Sequence, residues 1–132
     1  MNNASRKVES REVQSTGDVT TYFSSTIIPS SFMLGGLTIN IVRDDSMVCT
    51  KGIIGEARYT SQQICLDASV APLQSLEQSY LHELTHWIFY MMNEDELRNN
   101  ERLVDLFAHF LYQAMVTAKF ESAVSPDVAP NV

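Results

Sequence analysis

The sequence has few of the features that mark secreted, membrane-spanning or nucleic-acid-binding proteins. Its two cysteines, Cys49 and Cys65, form no CxxC pair in a chain long enough to bury a core, so we interpret both as reduced thiols. Nine Lys and Arg against 16 Asp and Glu give a net charge of -7, which predicts no nucleic-acid partner. The most apolar N-terminal stretch, 27–37, is broken by proline, serine and glycine. We therefore expect no signal peptide, no membrane span and a cytoplasmic location.

Length and composition indicate one domain flanked by two tails. A chain of 132 residues, 45% of them hydrophobic, can bury a single core. Residues 1–25 are mostly polar or charged and show no period, so we predict a disordered N-terminal tail. Residues 122–132 contain Pro126 and Pro130 and no period, which favours a flexible C-terminal tail. The predicted domain covers residues 26–121.

Three short segments have the pattern of β-strands. Within residues 37–42, apolar residues largely alternate with threonine and asparagine, as in a strand that buries one face. Segments 53–59 and 63–67 are also rich in strand-forming residues, and the polar residues 60–62 between them predict a hairpin. We therefore predict a small antiparallel sheet.

Two longer segments have helical periods. From Leu73 to about Met92, apolar residues surround much of the circumference, which is typical of a helix at the centre of a domain. A polar break follows at residues 93–95. Because apolar residues then recur at intervals of three and four, we predict a second long helix. The predicted fold is α+β, with the small antiparallel sheet packed on the central helix and the second helix. The periodic positions of the second helix are Leu103, Val104, Phe107, Phe110, Leu111, Ala114, Met115 and Ala118.

The central helix carries the motif His82-Glu83-Leu84-Thr85-His86. Residues four apart lie one turn above each other, so both imidazoles can point at one ion. Zinc accepts neutral imidazole nitrogens, and a catalytic zinc site keeps three protein ligands and one open position. Glu83 follows the first histidine, so its carboxylate projects beside the ion and can take a proton from water. The motif predicts one zinc ion held by His82 and His86, with Glu83 as catalytic base.

A third ligand is expected downstream of the motif. Glu101, Asp105 and His109 are spaced by four, so they form one row on the second helix. Glu101 would complete a His₂Glu site, and Asp105, one turn later, can accept a hydrogen bond from a ligand imidazole. The acidic residues 94–96 lie in the predicted break and are interpreted as a solvated loop. For His109 three roles stay open: it replaces Glu101 as ligand, helps to stabilise a transition state, or faces solvent.

The two motifs together resemble the gluzincins, the thermolysin-like class of zinc peptidases. In that class HExxH is followed by Glu-x-x-x-Asp on another helix, and here HELTH at 82–86 is followed by ERLVD at 101–105, with Asn100 before the glutamate. The resemblance implies a minimal zincin-like domain with peptidase activity. It also implies the following roles: His82, His86 and Glu101 hold zinc, Glu83 activates water, and Asp105 orients a ligand histidine.

Two further resemblances concern the biological setting. Segment 28–115 is similar to small phage-encoded proteins that carry this motif, which implies a phage or prophage origin and the host cytoplasm. The helix pair is also similar to the ImmA/IrrE-type peptidases that act on phage repressors, in the position of Phe107-Ala108 after the glutamate. The Leu-Met-Pro ending of that group is replaced here by FLYQ at 110–113. Repressor cleavage is therefore one hypothesis for the substrate.

These observations lead to two functional hypotheses from different classes. In the first, the protein is a peptidase whose peptide or protein substrate adds as an extra strand to an open edge at residues 63–67. Four side chains are candidates for oxyanion stabilisation, and the sequence marks none of them clearly. In the second, zinc stabilises an interaction or regulatory module without proteolysis, such as a phage regulator or host-defence antagonist, because so short a chain leaves little room for a closing lobe. The four oxyanion candidates are Tyr59, Tyr90, Arg98 and Tyr112.

Overall fold

Strands and helices are largely segregated along the chain, which confirms the predicted α+β class. The computed structural model describes residues 26–121, and the two predicted tails, 1–25 and 122–132, lie outside the described residues. Within residues 26–121 no helix is both long enough and apolar enough to span a membrane. The elements in chain order are β1 (Ser31–Leu34), β2 (Leu37–Arg43), α1 (Met47–Lys51), β3 (Gly55–Arg58), β4 (Gln63–Leu66), α2 (Leu73–Met91), α3 (Asp95–Arg98) and α4 (Glu101–Thr117).

The sheet is mixed, so the prediction of an antiparallel sheet is wrong for one strand pair. The strand order is β1-β2-β4-β3; β1 with β2 and β3 with β4 are antiparallel, but β2 with β4 is parallel. The physical reason lies in β4, where the consecutive residues Ile64, Cys65 and Leu66 are all buried. A strand buried on both faces takes the centre of a sheet, and the chain therefore returns through α1 and β3 to place β4 beside β2.

Two tight turns close the antiparallel pairs. Gly35 and Gly36 connect β1 to β2 with φ angles of 55° and 87°, a left-handed pair that glycine adopts without steric cost. The predicted hairpin of segments 53–59 and 63–67 is confirmed as β3 and β4, and Gln62 ends its turn at a φ of 57°. Sequence patterns missed β1, α1 and α3, because elements of four or five residues are too short to show a period.

Helix α2 lies between the sheet and α4, in the place predicted for the central helix. It ends at Met91, where Asn93 takes a left-handed φ of 62° and the Glu94 N–H donates to the Phe89 carbonyl at 2.9 Å. This Schellman motif turns the chain sharply toward α3 and α4. The buried residues around α2 form one core cluster: Ile28, Ile39, Ile41, Ile64, Leu66, Leu76, Tyr80, Leu81, Trp87, Ala108 and Tyr112.

Candidate metal centre

Helix α2 carries the two histidines on one face. His82 and His86 are four residues apart, and their ring centroids are separated by 4.9 Å. Only 21% of the His82 side chain and 12% of the His86 side chain are exposed. One residue further, the Trp87 indole N–H donates to the Gln63 carbonyl at 3.1 Å. The hydrogen bond ties this turn of α2 to β4, so the sheet fixes the backbone from which His86 projects.

Glu101 reaches both histidines from the first turn of α4. The Asn100 side-chain oxygen accepts a hydrogen bond from the Leu103 N–H at 3.1 Å and caps the helix, so that α4 begins at Glu101. Glu101 Oε1 lies 3.2 Å from His82 Nε2, and Oε2 lies 3.1 Å from His86 Nε2. One ligand atom from each of the three residues lies within 4.8 Å of the other two. The structure thus brings the three residues predicted as ligands together.

The separations suit a tetrahedral ion. Zinc binds imidazole nitrogen and carboxylate oxygen at about 2.0–2.2 Å, which places neighbouring ligand atoms of a tetrahedral site about 3.3–3.5 Å apart. The nitrogen–oxygen separations around Glu101, 3.1 and 3.2 Å, are close to that value. Two imidazoles and one carboxylate also leave the fourth position of such a site to water. The residues present could therefore hold a metal ion in such a site.

Neutral imidazoles cannot complete these contacts with hydrogen bonds, because they have too few donors. His82 faces Glu101 at Nε2 and Asp105 Oδ1 at Nδ1, at 3.2 and 3.4 Å. His86 faces Glu101 at Nε2, at 3.1 Å. Two neutral imidazoles have one N–H each, so two donors meet three acceptor contacts. Burial lowers the pKa of His86, which disfavours protonation of that ring. Either one further proton or a cation beside both Nε2 atoms and Glu101 removes the mismatch.

Glu83 is half-buried beside the histidines, under the edge of the sheet. Burial raises the pKa of Glu83 to about 7, and the His82 ring and the Ala57 backbone act in the opposite direction. Strand β3 can approach this closely because of Gly55: a Cβ there would lie 3.3 Å from Glu83 Cγ and from Ser79 Cβ. The glycine therefore lets β3 lie directly against the helix face that carries the predicted base.

Two adjoining cavities open on either side of the histidine pair. One of about 430 Å³ extends toward Ser75, Gln78 and His109, and one of about 390 Å³ extends toward Tyr59 and Arg98. Together they form a cleft between β3 and the two long helices. Both cavities are lined by Ile53, Gly55, His82 and Glu83.

The strand that borders this cleft is β3, which corrects the prediction of an open edge at residues 63–67. Segment 63–67 forms β4, which pairs with β2 on one side and β3 on the other, so it has no free edge. Strand β3 pairs only with β4 within the described residues, so its outer edge faces the cleft. The strand propensities identified the hairpin, but they carry no information on which strand lies inside the sheet. The apolar run at Ile64–Leu66 was the signal for the inner strand.

Arg98 lines the cleft, although sequence analysis predicts it only as one of four candidates for oxyanion stabilisation. It ends the short helix α3 and lines the second cavity with His86 and Glu101. Its guanidinium carbon lies 5.3 Å from the centroid of the Tyr59 ring, and the neighbouring Tyr59 hydroxyl raises the pKa of Arg98. Residues 93–95 were predicted as a polar break, but Asp95 is already the first residue of α3. The break is thus partly helical and positions Arg98.

The remaining candidate residues lie away from the triad of His82, His86 and Glu101. His109 lines the first cavity beside Asp105 and is not among the converging ligands within residues 26–121. The acidic residues 94–96 are exposed and also outside that cluster, as the interpretation of a solvated segment requires. Tyr112 is buried, and its hydroxyl donates to Glu77 at 2.8 Å, so it is occupied elsewhere in the fold.

Comparisons with protein-family models, with curated protein sequences and with solved structures found no match to this chain.

Proposed function

We propose that the protein is a zinc-dependent peptidase that uses the site in the manner of the gluzincins its motifs resemble. The observation that carries the proposal is the donor–acceptor mismatch at the histidine pair. Three carboxylate contacts meet two neutral imidazole N–H groups, and the two contacts of Glu101 have separations close to those of tetrahedral ligands. A divalent cation held by His82, His86 and Glu101 resolves that mismatch with the atoms already in place.

The position of Glu83 favours hydrolysis over a purely structural ion. Zinc in such a site supplies a Lewis acid that brings the pKa of a water molecule to about 7. Glu83 lines both cavities next to the histidines, where its carboxylate can accept a proton from water and pass it to a leaving amine. Asp105 Oδ1 lies 3.4 Å from His82 Nδ1, where it can accept the proton of that nitrogen and so leave the lone pair of Nε2 available to a metal.

The outer edge of β3 favours a peptide as substrate. An extended peptide can add to a free strand edge through main-chain hydrogen bonds, with its side chains in neighbouring cavities. Strand β3 runs along the cleft, and Gly55 brings it within contact of the Glu83 side chain. A peptide paired with β3 would therefore cross the cleft beside His82 and Glu83. This places its backbone carbonyls next to the proposed base.

The experiment compares the zinc-loaded wild-type protein with Glu83→Gln in a cleavage assay on a peptide library read by mass spectrometry. We expect one zinc per chain in both proteins and a loss of cleavage of at least about 100-fold in the variant, the lower end of the usual contribution of an acid–base group. Glu94→Gln is the matched control, since it removes an exposed carboxylate outside the cleft and should cleave as the wild type does.

Three results would contradict parts of the proposal. Equal cleavage by Glu83→Gln and the wild type removes Glu83 from the mechanism. A wild-type protein that holds one zinc and cleaves no library peptide favours the non-proteolytic interaction module instead. A protein purified without chelators that contains no stoichiometric metal contradicts the metal site itself.

A further inference from the structure

Helix α4 carries two apolar stripes, and within residues 26–121 only one of them is covered. Val104, Ala108 and Tyr112 are buried at intervals of four residues, on the side that packs against the core and α2. On the other stripe, Phe107 is 49% exposed and Phe110 is 64% exposed. We call this second stripe the outer face of α4, and it consists of Leu103, Phe107, Phe110 and Ala114.

The spacing of the outer face is that of a seam between two packed helices. Its residues follow one another at intervals of four, three and four, as apolar residues do where one helix lies along another. One edge of the face is supported by α2, because the Phe107 ring lies 6.5 Å from the Phe89 ring. Exposed Leu106 widens the face on the other side. Residues 106–118 include no Asp, Glu, Lys or Arg, so the surface is apolar and uncharged.

We propose that the outer face of α4 is the interface of a dimer, in which two copies of this chain pack their α4 helices antiparallel about a twofold axis. The face is complementary to itself. When Phe110 lies opposite Ala114 of the second copy, symmetry places Ala114 opposite Phe110 of that copy, so a large side chain meets a small one twice. In the same alignment Phe107 lies opposite Thr117, the last residue of α4.

The interface lies away from the candidate metal centre. Asp105 and Phe110 are five residues apart on α4, which separates them by about 140° around the helix. Two copies can therefore pack through Phe110 without covering the side from which Asp105 reaches His82. The inference goes beyond the proposed function and does not depend on it.

The size of the face predicts a weak, reversible dimer. A phenylalanine side chain presents on the order of 200 Å², so Phe107 and Phe110 together leave on the order of 200 Å² of ring surface in water. Helix α4 has 17 residues and is therefore about 25 Å long. Two helices of that length, packed side by side with their polar flanks, bury about 1,000 Å² in total, which is the lower limit for a specific interface.

The charges favour a second copy over a lipid surface as the occupant. Helices that lie on membranes usually carry Lys and Arg on their polar side. Helix α4 has one such cation, Arg102, against the carboxylates of Glu101 and Asp105, and the whole chain has a net charge of -7. Anionic lipid would repel this chain. Two copies also repel each other at long range, but salt screens that repulsion, so we expect dimerisation to strengthen as the salt concentration rises.

The experiment is sedimentation velocity of the full chain over a range of protein concentrations, for the wild type, Phe110→Glu and Val116→Glu. The mass of the wild type should rise with concentration from that of one chain toward that of two. Phe110→Glu places a charge in the apolar seam of each copy and should weaken association at least about tenfold. Val116→Glu is the matched control, because Val116 is 50% exposed but lies about 120° around the helix from Phe110, and it should associate as the wild type does.

Urea denaturation checks that both variants are folded, which we expect because both side chains are exposed. If Phe110→Glu does not fold, Phe110→Ser replaces it, with the same direction of effect. A wild type with the mass of one chain at every concentration overturns the inference, and binding of that monomer to phosphatidylcholine vesicles would identify a lipid surface as the occupant instead.

Two further outcomes also overturn the inference. Equal association of the wild type and Phe110→Glu would assign the dimer to another surface. Equal weakening by Phe110→Glu and Val116→Glu would assign the effect to the added charge rather than to the outer face. None of these outcomes concerns zinc binding or peptide cleavage, so the failure of the dimer and the failure of the proposed function are separate results.

Discussion

Two carboxylates join α2 to α4, one at each end of the helix pair. At one of them the hydrogen-bond donors match the acceptors, and at the other the donors are too few. Glu77 of α2 is 7% exposed and accepts from three donors: the Tyr112 hydroxyl at 2.8 Å, the Thr26 hydroxyl at 2.8 Å and the Ile27 N–H at 3.1 Å. Glu101 of α4 is 69% exposed in its side chain and faces two imidazoles, one of which, His82, already faces Asp105 at its other nitrogen.

The difference separates a structural carboxylate from a candidate ligand. Every contact of Glu77 pairs a donor with an acceptor, so the cluster is complete with the protein's own atoms. The contacts of Glu101 and Asp105 with the two imidazoles are complete only when a cation or a further proton is supplied. Burial alone would have suggested the opposite assignment, since Glu77 is the more buried of the two acids. The count of donors and acceptors is the better guide to function in this helix pair.

The largest expected effect comes from Glu101→Gln. The amide keeps the volume but loses the charge that holds the ion, so zinc affinity should fall at least about 1,000-fold, or about 4 kcal/mol. Isothermal titration with zinc measures the change. In the metal-free protein the same substitution should leave the free energy of unfolding unchanged or raise it, because the amide can donate to an imidazole nitrogen.

The control for that prediction is Glu96→Gln, which removes an exposed carboxylate of α3 outside the triad. Its zinc affinity should equal that of the wild type. A large loss of affinity in Glu96→Gln with little loss in Glu101→Gln would show that the third ligand comes from α3. Glu96 would then be the metal-binding acid, and Glu101 would not.

The opposite behaviour is expected at the other end of the helix pair. Glu77→Gln replaces an acceptor of three hydrogen bonds by a group that must also donate, so the free energy of unfolding should fall by about 3 kcal/mol. Urea denaturation measures it. Zinc affinity should stay unchanged, because Glu77 is not part of the ligand cluster. A stable Glu77→Gln protein with impaired zinc binding would break the distinction between the two ends.

The Glu77 end should also respond to alkaline pH. Burial, together with the hydrogen bond to Glu77, raises the pKa of Tyr112 from 10.0 to about 12. Because the folded pKa is the higher one, the stabilisation is full below pH 10 and is lost as pH rises toward 12.

Tyr112→Phe isolates that contribution, since Tyr80 is shifted to about 12 as well and remains in both proteins. Below pH 10 the variant should be less stable than the wild type by about 2 kcal/mol, and the gap should narrow between pH 10 and 12. Urea denaturation at several pH values measures the gap. A gap that stays constant to pH 12 would show that the Tyr112 hydroxyl contributes no proton-linked stability.

The smallest effect is expected at the start of α4. Asn100→Ala removes the cap that sets the first residue of the helix, so the free energy of unfolding should fall by about 1 kcal/mol. Asn99→Ala is the matched control, because Asn99 ends α3 through its backbone N–H and its side chain caps no helix within residues 26–121, so it should change stability by less than about 0.5 kcal/mol. Urea denaturation measures the change. Equal losses of unfolding free energy in both variants would show that the Asn100 cap does not determine where α4 begins, and so does not place Glu101 opposite the histidines.

The triad was accessible from the sequence because helical spacing alone fixes which side chains share a face. His82 and His86 lie one turn apart on α2, and Glu101 and Asp105 have the same four-residue spacing on α4. Arg98 could not be assigned in the same way, since α3 is four residues long and its position follows from the left-handed Asn93.

The sheet was predictable in its strands but only partly in its topology. Alternation located β2, and the polar turn located the hairpin of β3 and β4. Strand direction depends on which strand is buried on both faces, and that is decided by packing against α2 rather than by local propensity. The antiparallel expectation was therefore wrong at β2 and β4, and the substrate edge moved from β4 to β3.

The distribution of the triad over two helices makes the proposed ion a cross-link. Both imidazoles belong to α2 and the carboxylate to α4, so the ion can be bound in full only when the helices are packed. A ligand that binds the folded state alone adds about 2.7 kcal/mol of stability at a free concentration one hundred times its dissociation constant. The melting temperature of the domain would then rise and fall with free zinc, and a chelator would act as a denaturant.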